Sequence, residues 1–234
     1  MAYTTVDKCS SFFNTHLHSG TGSAGHAITG IGHQPDLVWV KSRTDTRKHN
    51  MYDSVRGTEK RIVTNSNVVE DTVGGVTAFN SDGFTLGTET DVNGSSRNFV
   101  SYNWKAGTTS GLSGGTITPS SYSINTSSKF GIYKYTGNGT SGATIAHGLG
   151  GTPACIWIKA LSRQDDWVVG HHQFNGGTNA WNYIWKIRAV SRSQSAHTAY
   201  WNDTAPTSSV FTLGNDTGVN NNGDTYVAYV WCEV

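Results

Sequence analysis

The residue types that could do chemistry are scattered along the chain. His16 and His18 lie two apart, so on a strand they share a face and could hold a metal ion. No third ligand accompanies them, and a pair of exposed or hydrogen-bonded histidines is the plainer reading. His171 and His172 are adjacent and point to opposite faces if the chain is extended there, which weakens a joint site. Asp165-Asp166 and the run from Asp216 to Asp224 could serve carboxylate chemistry or calcium. Neither follows the D-x-D-x-D-G order of a calcium loop, so polar turns are expected. Serines are abundant, but no Gly-x-Ser-x-Gly elbow stands between a strand and a helix. Paired acids serve a glycosidase only at a separation that linear order leaves open. The expectation is a protein that is not an enzyme, with no catalytic, metal-binding or cofactor-binding residues and no cofactor.

Aromatic residues offer a more concentrated signal. Trp181, Tyr183 and Trp185 alternate and would share one strand face, and Tyr200 and Trp201 follow in the same segment. Three uses compete for them: filling a core, packing on a neighbouring protein, and stacking on sugar rings. The two surface uses make Trp181, Tyr183, Trp185, Tyr200 and Trp201 candidate interface or glycan contacts.

The elements that must position these residues come from an internal repeat. Phe99-Val100-Ser101-Tyr102-Asn103-Trp104 returns as Tyr226-Val227-Ala228-Tyr229-Val230-Trp231. Phe84-Thr85-Leu86-Gly87 returns as Phe211-Thr212-Leu213-Gly214, and in both copies the Trp lies 20 residues after the Phe. Upstream, the block from Pro35 to Lys41 around Trp39 matches Pro153 to Lys159 around Trp157, and Ser19–Gly22 matches Thr136–Gly139. Four blocks in one order, twice, indicate a duplication. The second copy has 54 positions from Trp157 to Phe211, against 45 from Trp39 to Phe84, an insertion of about nine residues that falls in the aromatic segment.

Alternation along the last strand of each copy suggests which side faces in. Val100, Tyr102 and Trp104 are expected inside, with Phe99, Ser101 and Asn103 outside. By the same register Val227, Tyr229 and Trp231 face in, and Tyr226, Ala228 and Val230 face out. An outward apolar strip would suit a partner, so Tyr226 and Val230 join the candidate interface. Apolar residues on both faces equally suit a strand covered on both sides, deep in its own domain, with the insertion folded over this strip within one subunit.

Composition supports an all-β chain. Only 14% of the 234 residues are charged, 28 are Gly, and helix signals are nearly absent; the best candidate, residues 182–191, lacks a 3.6-residue stripe. Eight Trp supply bulk for thin β cores. The reading is two related antiparallel β-sandwich units of jelly-roll or lectin-like type. The first covers residues 1–106 with a short N-terminal arm, and the second residues 129–234. A Gly/Ser/Thr-rich connection, residues 107–128, lies between them, and Ile117, Tyr122 and Ile124 are spaced so that part of it can pair as a strand.

A net charge of +1 argues against electrostatic capture of nucleic acid or of an anionic membrane. The one basic cluster, Arg43 to Lys48, is interspersed with acids and reads as a solvated loop. No run approaches a membrane span, and the opening residues carry no secretion signal. Cys9, Cys155 and Cys232 are odd in number and have no partners related by the repeat, so free thiols are expected, with Cys155 buried beside Trp157.

Several blocks together carry a resemblance. They are Met1–Thr5, Gln34–Lys41, Tyr52–Gly57, Ser81–Gly87, Tyr135–Gly139, His147–Gly150 and Trp201–Phe211. As an ordered set covering nearly the whole chain, they resemble a family of uncharacterised β-rich proteins of tailed phages from cyanobacterial and marine hosts. The resemblance implies a virion structural protein, either a capsid decoration protein or a tail-fibre module. It implies synthesis in the bacterial host cytoplasm and residence on the virion surface. The implied partners are other virion proteins, with the chain present as a homo-oligomer or in many copies. The resemblance supplies no catalytic residues, and the chain departs from the pattern in its insertion and at His171-His172. With no heptad or Gly-x-y array of a fibre shaft, a compact module is expected. The alternative is a carbohydrate-binding adhesin module for host-attachment glycans.

Overall fold

The computed structural model describes residues 6–187 and 194–234. The part of the weak helix candidate beyond residue 187, and the block Met1–Thr5, lie outside these residues. The described chain is all-β and antiparallel, and its longest α-helices are single turns of four residues. It divides into two compact units. Unit 1 comprises residues 1–65 and 70–107, and unit 2 comprises residues 66–69 and 108–234.

Unit 1 contains β1 (Phe13–Ser19), β2 (His26–Thr29), β3 (Leu37–Ser42), β4 (Asn50–Asp53), β5 (Lys60–Val63), β6 (Asp71–Thr72), β7 (Val76–Asn80), β8 (Gly83–Leu86), the turn α1 (Thr90–Asn93) and β9 (Asn98–Trp104). The larger sheet runs β1-β9-β3-β4-β5-β6 and the smaller β2-β8-β7. Its core draws on both sheets: Val38, Val40, Tyr52 and Phe99 from the larger, Ile28, Val76, Phe84 and Leu86 from the smaller.

Unit 2 contains β10 (Ser121–Asn125), β11 (Phe130–Thr136), β12 (Ala143–Ala146), β13 (Pro153–Ala160), β14 (Val168–His171), β15 (Tyr183–Lys186), β16 (Ser195–Ala196), the turn α2 (Thr198–Trp201), β17 (Val210–Leu213), the turn α3 (Thr217–Asn220) and β18 (Thr225–Cys232). Its sheets run β10-β11-β18-β13-β14-β15-β16 and β12-β17. Apart from the added β10 and the missing partner of β7, this is the strand order of unit 1. Registers agree as well. Phe13 faces Trp104 as Phe130 faces Trp231, and Trp39 sits between Tyr102 and Met51 as Trp157 sits between Tyr229 and Val169. The Gly/Ser/Thr-rich connection belongs to unit 2. Within it β10 pairs with β11, Thr108 bridges Ile124, and Ile117 bridges Ile145.

Polar side chains fix the matching loops. Asn93 is fully buried at the end of α1; its Nδ2 donates to the Ser23 and Gly87 carbonyls at 2.9 and 2.7 Å, and its Oδ1 accepts from the Thr21 N–H. Asn220, at the end of α3, repeats the pattern with the Thr140 and Gly214 carbonyls, both at 2.9 Å, and the Asn138 N–H. Both α1 and α3 are preceded by an acid that accepts from the N2 amide: Glu89 from Asp91 and Asp216 from Gly218. Lys41 Nζ donates to the Ser42 and Asp45 carbonyls, and Lys159 Nζ to those of Ala160 and Asp165. Lys159 is fully buried, and desolvation lowers it to about 8.

The expected facing is reversed on β9, and β18 is covered on both sides, with Val227 and Tyr229 as fully buried as Tyr226, Ala228 and Val230. Phe99, Ser101 and Asn103 are 0% exposed, while Val100, Tyr102 and Trp104 are half-buried. Tyr226, Ala228 and Val230 lie in the core cluster of unit 2. The physical reason is that both faces of the large sheets are apolar. The face away from the core carries its own aromatic pairs, Phe13 with Trp104 and Trp39 with Tyr102 at ring separations of 4.8 and 5.8 Å. Asn103 and Ser101 on the core face bond to each other, since Asn103 Nδ2 donates to Ser101 Oγ and to the Asn14 carbonyl. Burial of such groups is tolerated when they are bonded.

Candidate functional site

The insertion in unit 2 helps to build a cavity. Its foundation is Gly170 on β14. A Cβ at Gly170 would lie 2.6 Å from the Trp181 ring and 2.7 Å from the Trp201 ring, so only glycine admits both indoles. The two rings meet edge to face, 5.5 Å apart at 88°, a favoured aromatic geometry. Trp181 arrives on a 3-10 turn (Ala180–Asn182) and Trp201 closes α2.

The loops that carry these rings use left-handed backbone. Asn175, Asn179, Asn202 and Asp203 have φ between 48° and 53°. Asn and Asp are the non-glycine residues that tolerate this region best. Two of the four are tied down locally: Asn175 Nδ2 donates to the Thr178 carbonyl, and Asn202 Oδ1 accepts from Ser141 Oγ. The side chains of Asn179 and Asp203 make no hydrogen bond among the described residues, and both line a cavity of about 340 Å³ with His172, Trp181, Asn182 and Ala205. His172 Nε2 lies 3.4 Å from Glu233 Oε1.

The expected contact residues fare differently. Trp181 forms part of the cavity wall but is only 6% exposed. Tyr200 and Trp201 belong to the core, as do Tyr226 and Val230, both at 0% exposure. These four are corrected from surface contacts to core residues. Tyr226 Oη donates to the Thr217 carbonyl and its ring stacks on Tyr135, so its whole side chain is engaged inside. Tyr183 and Trp185 remain half-buried on the face of β15 opposite Ile184, a core residue. They do not line the cavity.

The other candidates resolve as structure. His18 is buried and its Nε2 donates to the Val92 carbonyl at 3.0 Å, the only role open to a nitrogen facing a carbonyl. Asp165 offers its carbonyl to Lys159, and Asp224 accepts from Asn221 Nδ2 and Ser162 Oγ, which hold its carboxyl below the usual range. Among the described residues no three His, Cys, Asp or Glu side chains gather to hold a metal. His171 ends β14 and the chain turns at His172, so their rings lie 4.8 Å apart rather than on opposite faces. The three cysteines are unpaired. Cys155 is half-buried, and burial raises its thiol to about 11.

One family model, described as a domain of unknown function, matches residues 8–234 and so spans both units. The chain belongs to the DUF7483 family. No curated protein and no solved structure matches it. The DUF7483 match covers the insertion together with the repeated scaffold, so Asn179, Asn182 and Asp203 lie inside the family's domain. Linear reading missed these three because short polar residues beside glycine look like ordinary turns. The available signal was Asn at 175, 179, 182 and 202 around Trp181 and Trp201, in the segment that carries the insertion.

Proposed function

We propose that this chain is a non-enzymatic structural protein on the surface of a tailed-phage virion, a capsid decoration or tail-fibre module acting through protein–protein contacts. The observation that carries the reading is the use made of polar side chains. In both units the buried amides Asn93 and Asn220, the lysines Lys41 and Lys159 and the turn acids Glu89 and Asp216 are bonded to backbone that holds loops. Groups committed in this way stiffen a scaffold and are not free to exchange protons with a substrate. The sequence resemblance gives that scaffold its setting. Tyr183 and Trp185 are the contact residues of the original set that keep exposure on a sheet face, and aromatic anchors of this kind dominate interfaces.

Peptide mass spectrometry of gradient-purified virions, with antibody labelling of intact particles, tests the proposal. The expected result is a multi-copy component labelled without disrupting the particle. Absence from purified particles, or release of reducing sugar from polysaccharide by the pure protein, overturns it. The paired substitutions Tyr183→Ala and Trp185→Ala are expected to weaken particle association while leaving the far-ultraviolet circular dichroism of the free chain unchanged.

A further inference from the structure

We propose that the cavity between Asn179 and Asp203 binds a neutral pyranose, one or two rings of an uncharged glycan. The inference goes beyond a structural role in the virion, and its test reads sugar affinity rather than particle location, so each can fail alone.

Three features point to this ligand. The first is polar chemistry. The cavity presents the amides of Asn179 and Asn182, the carboxylate of Asp203 and the imidazole of His172. A carboxylate only accepts hydrogen bonds, whereas an amide both donates and accepts. Together they match vicinal hydroxyls, each of which must also donate and accept. Asn179 and Asp203 are exposed and Asn182 is half-buried, and among the described residues no hydrogen bond occupies their side chains, so each can exchange water for a sugar hydroxyl. The second feature is charge. Among the described residues no Lys or Arg lines the cavity, and Glu233 stands 3.4 Å from His172. A uronic acid, sulfate or phosphate would meet a carboxylate here with no cation to offset it. The third is shape. Trp181, immobilised against Trp201, and Ala205 give apolar wall for sugar C–H groups. A volume of about 340 Å³ lies at the small end of ligand pockets, roughly 300–1,000 Å³.

The backbone supplies an independent argument. Asn179 and Asp203 both hold left-handed φ values, 48° and 49°, where glycine would be less strained. For a turn alone, glycine would be the simpler residue. Asn175 and Asn202 share this backbone but bond within the chain, whereas Asn179 and Asp203 keep it with side chains that line the cavity, as a binding site would require.

The same feature makes the test clean. Asn179→Gly and Asp203→Gly suit the local backbone, so each variant is expected to melt at or above the wild-type temperature. Titration calorimetry and saturation-transfer NMR would use methyl glycosides of glucose, galactose and mannose, N-acetylglucosamine, and glucuronic acid as the charged comparison. The expected result is saturable binding of at least one neutral sugar, with affinity at least tenfold weaker in each glycine variant and glucuronic acid bound at least tenfold less well. Three outcomes overturn the proposal: no binding across the neutral panel, binding that both glycine variants retain, or glucuronic acid bound as tightly as the neutral sugars.

Discussion

Tyr52 in unit 1 and Gly170 in unit 2 occupy the same register position on matching strands, and their surroundings differ in every respect. Tyr52 is fully buried, and its ring reaches across to Gly75, where a Cβ would collide with the phenol. Beside it on β5 stands Arg61, paired with Asp71 at 2.6 Å and with Glu89 at 3.5 Å. In unit 2 the position matching Arg61 is Ile184, a core residue, and the volume of the missing tyrosine is filled by Trp181 and Trp201. One scaffold therefore tolerates two interiors, one ringed by ion pairs and one filled by two indoles delivered from an insertion. The second leaves room beside Trp181, and that room is the cavity. The repeated parts, the Asn-held loops and the strand registers, are those that any interior requires.

The comparison can be broken most severely at the indoles. Trp201→Ala is expected to cost about 3–5 kcal/mol, the range for a large buried aromatic. Denaturant unfolding would check this, and a loss below about 1 kcal/mol would mean that Trp201 does not fill the place of the tyrosine.

Acid separates the units next. His18 in unit 1 and Tyr135 in unit 2 do the same work, bonding the Val92 and Val219 carbonyls at 3.0 and 2.7 Å and stacking on Phe99 and Tyr226. Burial, the largest cause, pushes His18 from 6.5 down to about 4. Between those values the unfolded chain binds the proton and the folded chain does not. Stability is therefore full above about 6.5 and falls as pH drops toward 4, by on the order of 3 kcal/mol at 1.36 kcal/mol per pKa unit. His18→Tyr, which installs the residue of unit 2, should flatten melting temperature against pH over this window. A residual slope remains from His33, His49 and His147, which burial also lowers. An unchanged slope would remove His18 as the cause.

The shared loops predict equality instead. Asn93→Ala and Asn220→Ala each strand buried backbone groups and are expected to cost about 2–3 kcal/mol. Values differing by more than about 1 kcal/mol would show that the two loops are not energetic equivalents. The smallest effect belongs to Gly170→Ala, at about 1–3 kcal/mol for overpacking against the indoles. A neutral result there would mean that the rings can shift, and with them the cavity wall.

How much of this was legible beforehand differs by level. Repeated blocks around Trp39 and Trp157, and around Trp104 and Trp231, located equivalent strands, because a duplicated chain keeps its spacing where strands pair. The antiparallel all-β class followed from glycine-rich turns and the absence of a helical stripe. Alternation on β9 and β18 was visible too, but its sign was not. Both faces carry aromatic residues, and a period of two states which side chains share a face without stating which face meets the smaller sheet. Tyr226 and Val230 were misplaced for that reason.

By itself, the sequence determined the all-β class, the repeated blocks and the location of the insertion, since these depend on local pattern and on spacing along the chain. Tertiary structure alone decided what the insertion does. That Gly170 makes room for Trp181 and Trp201, and that Asn179, on the loop after β14, and Asp203, after α2, come to line one cavity, depends on residues far apart in sequence meeting across a packed interior. No periodicity records that meeting, because it is set by excluded volume.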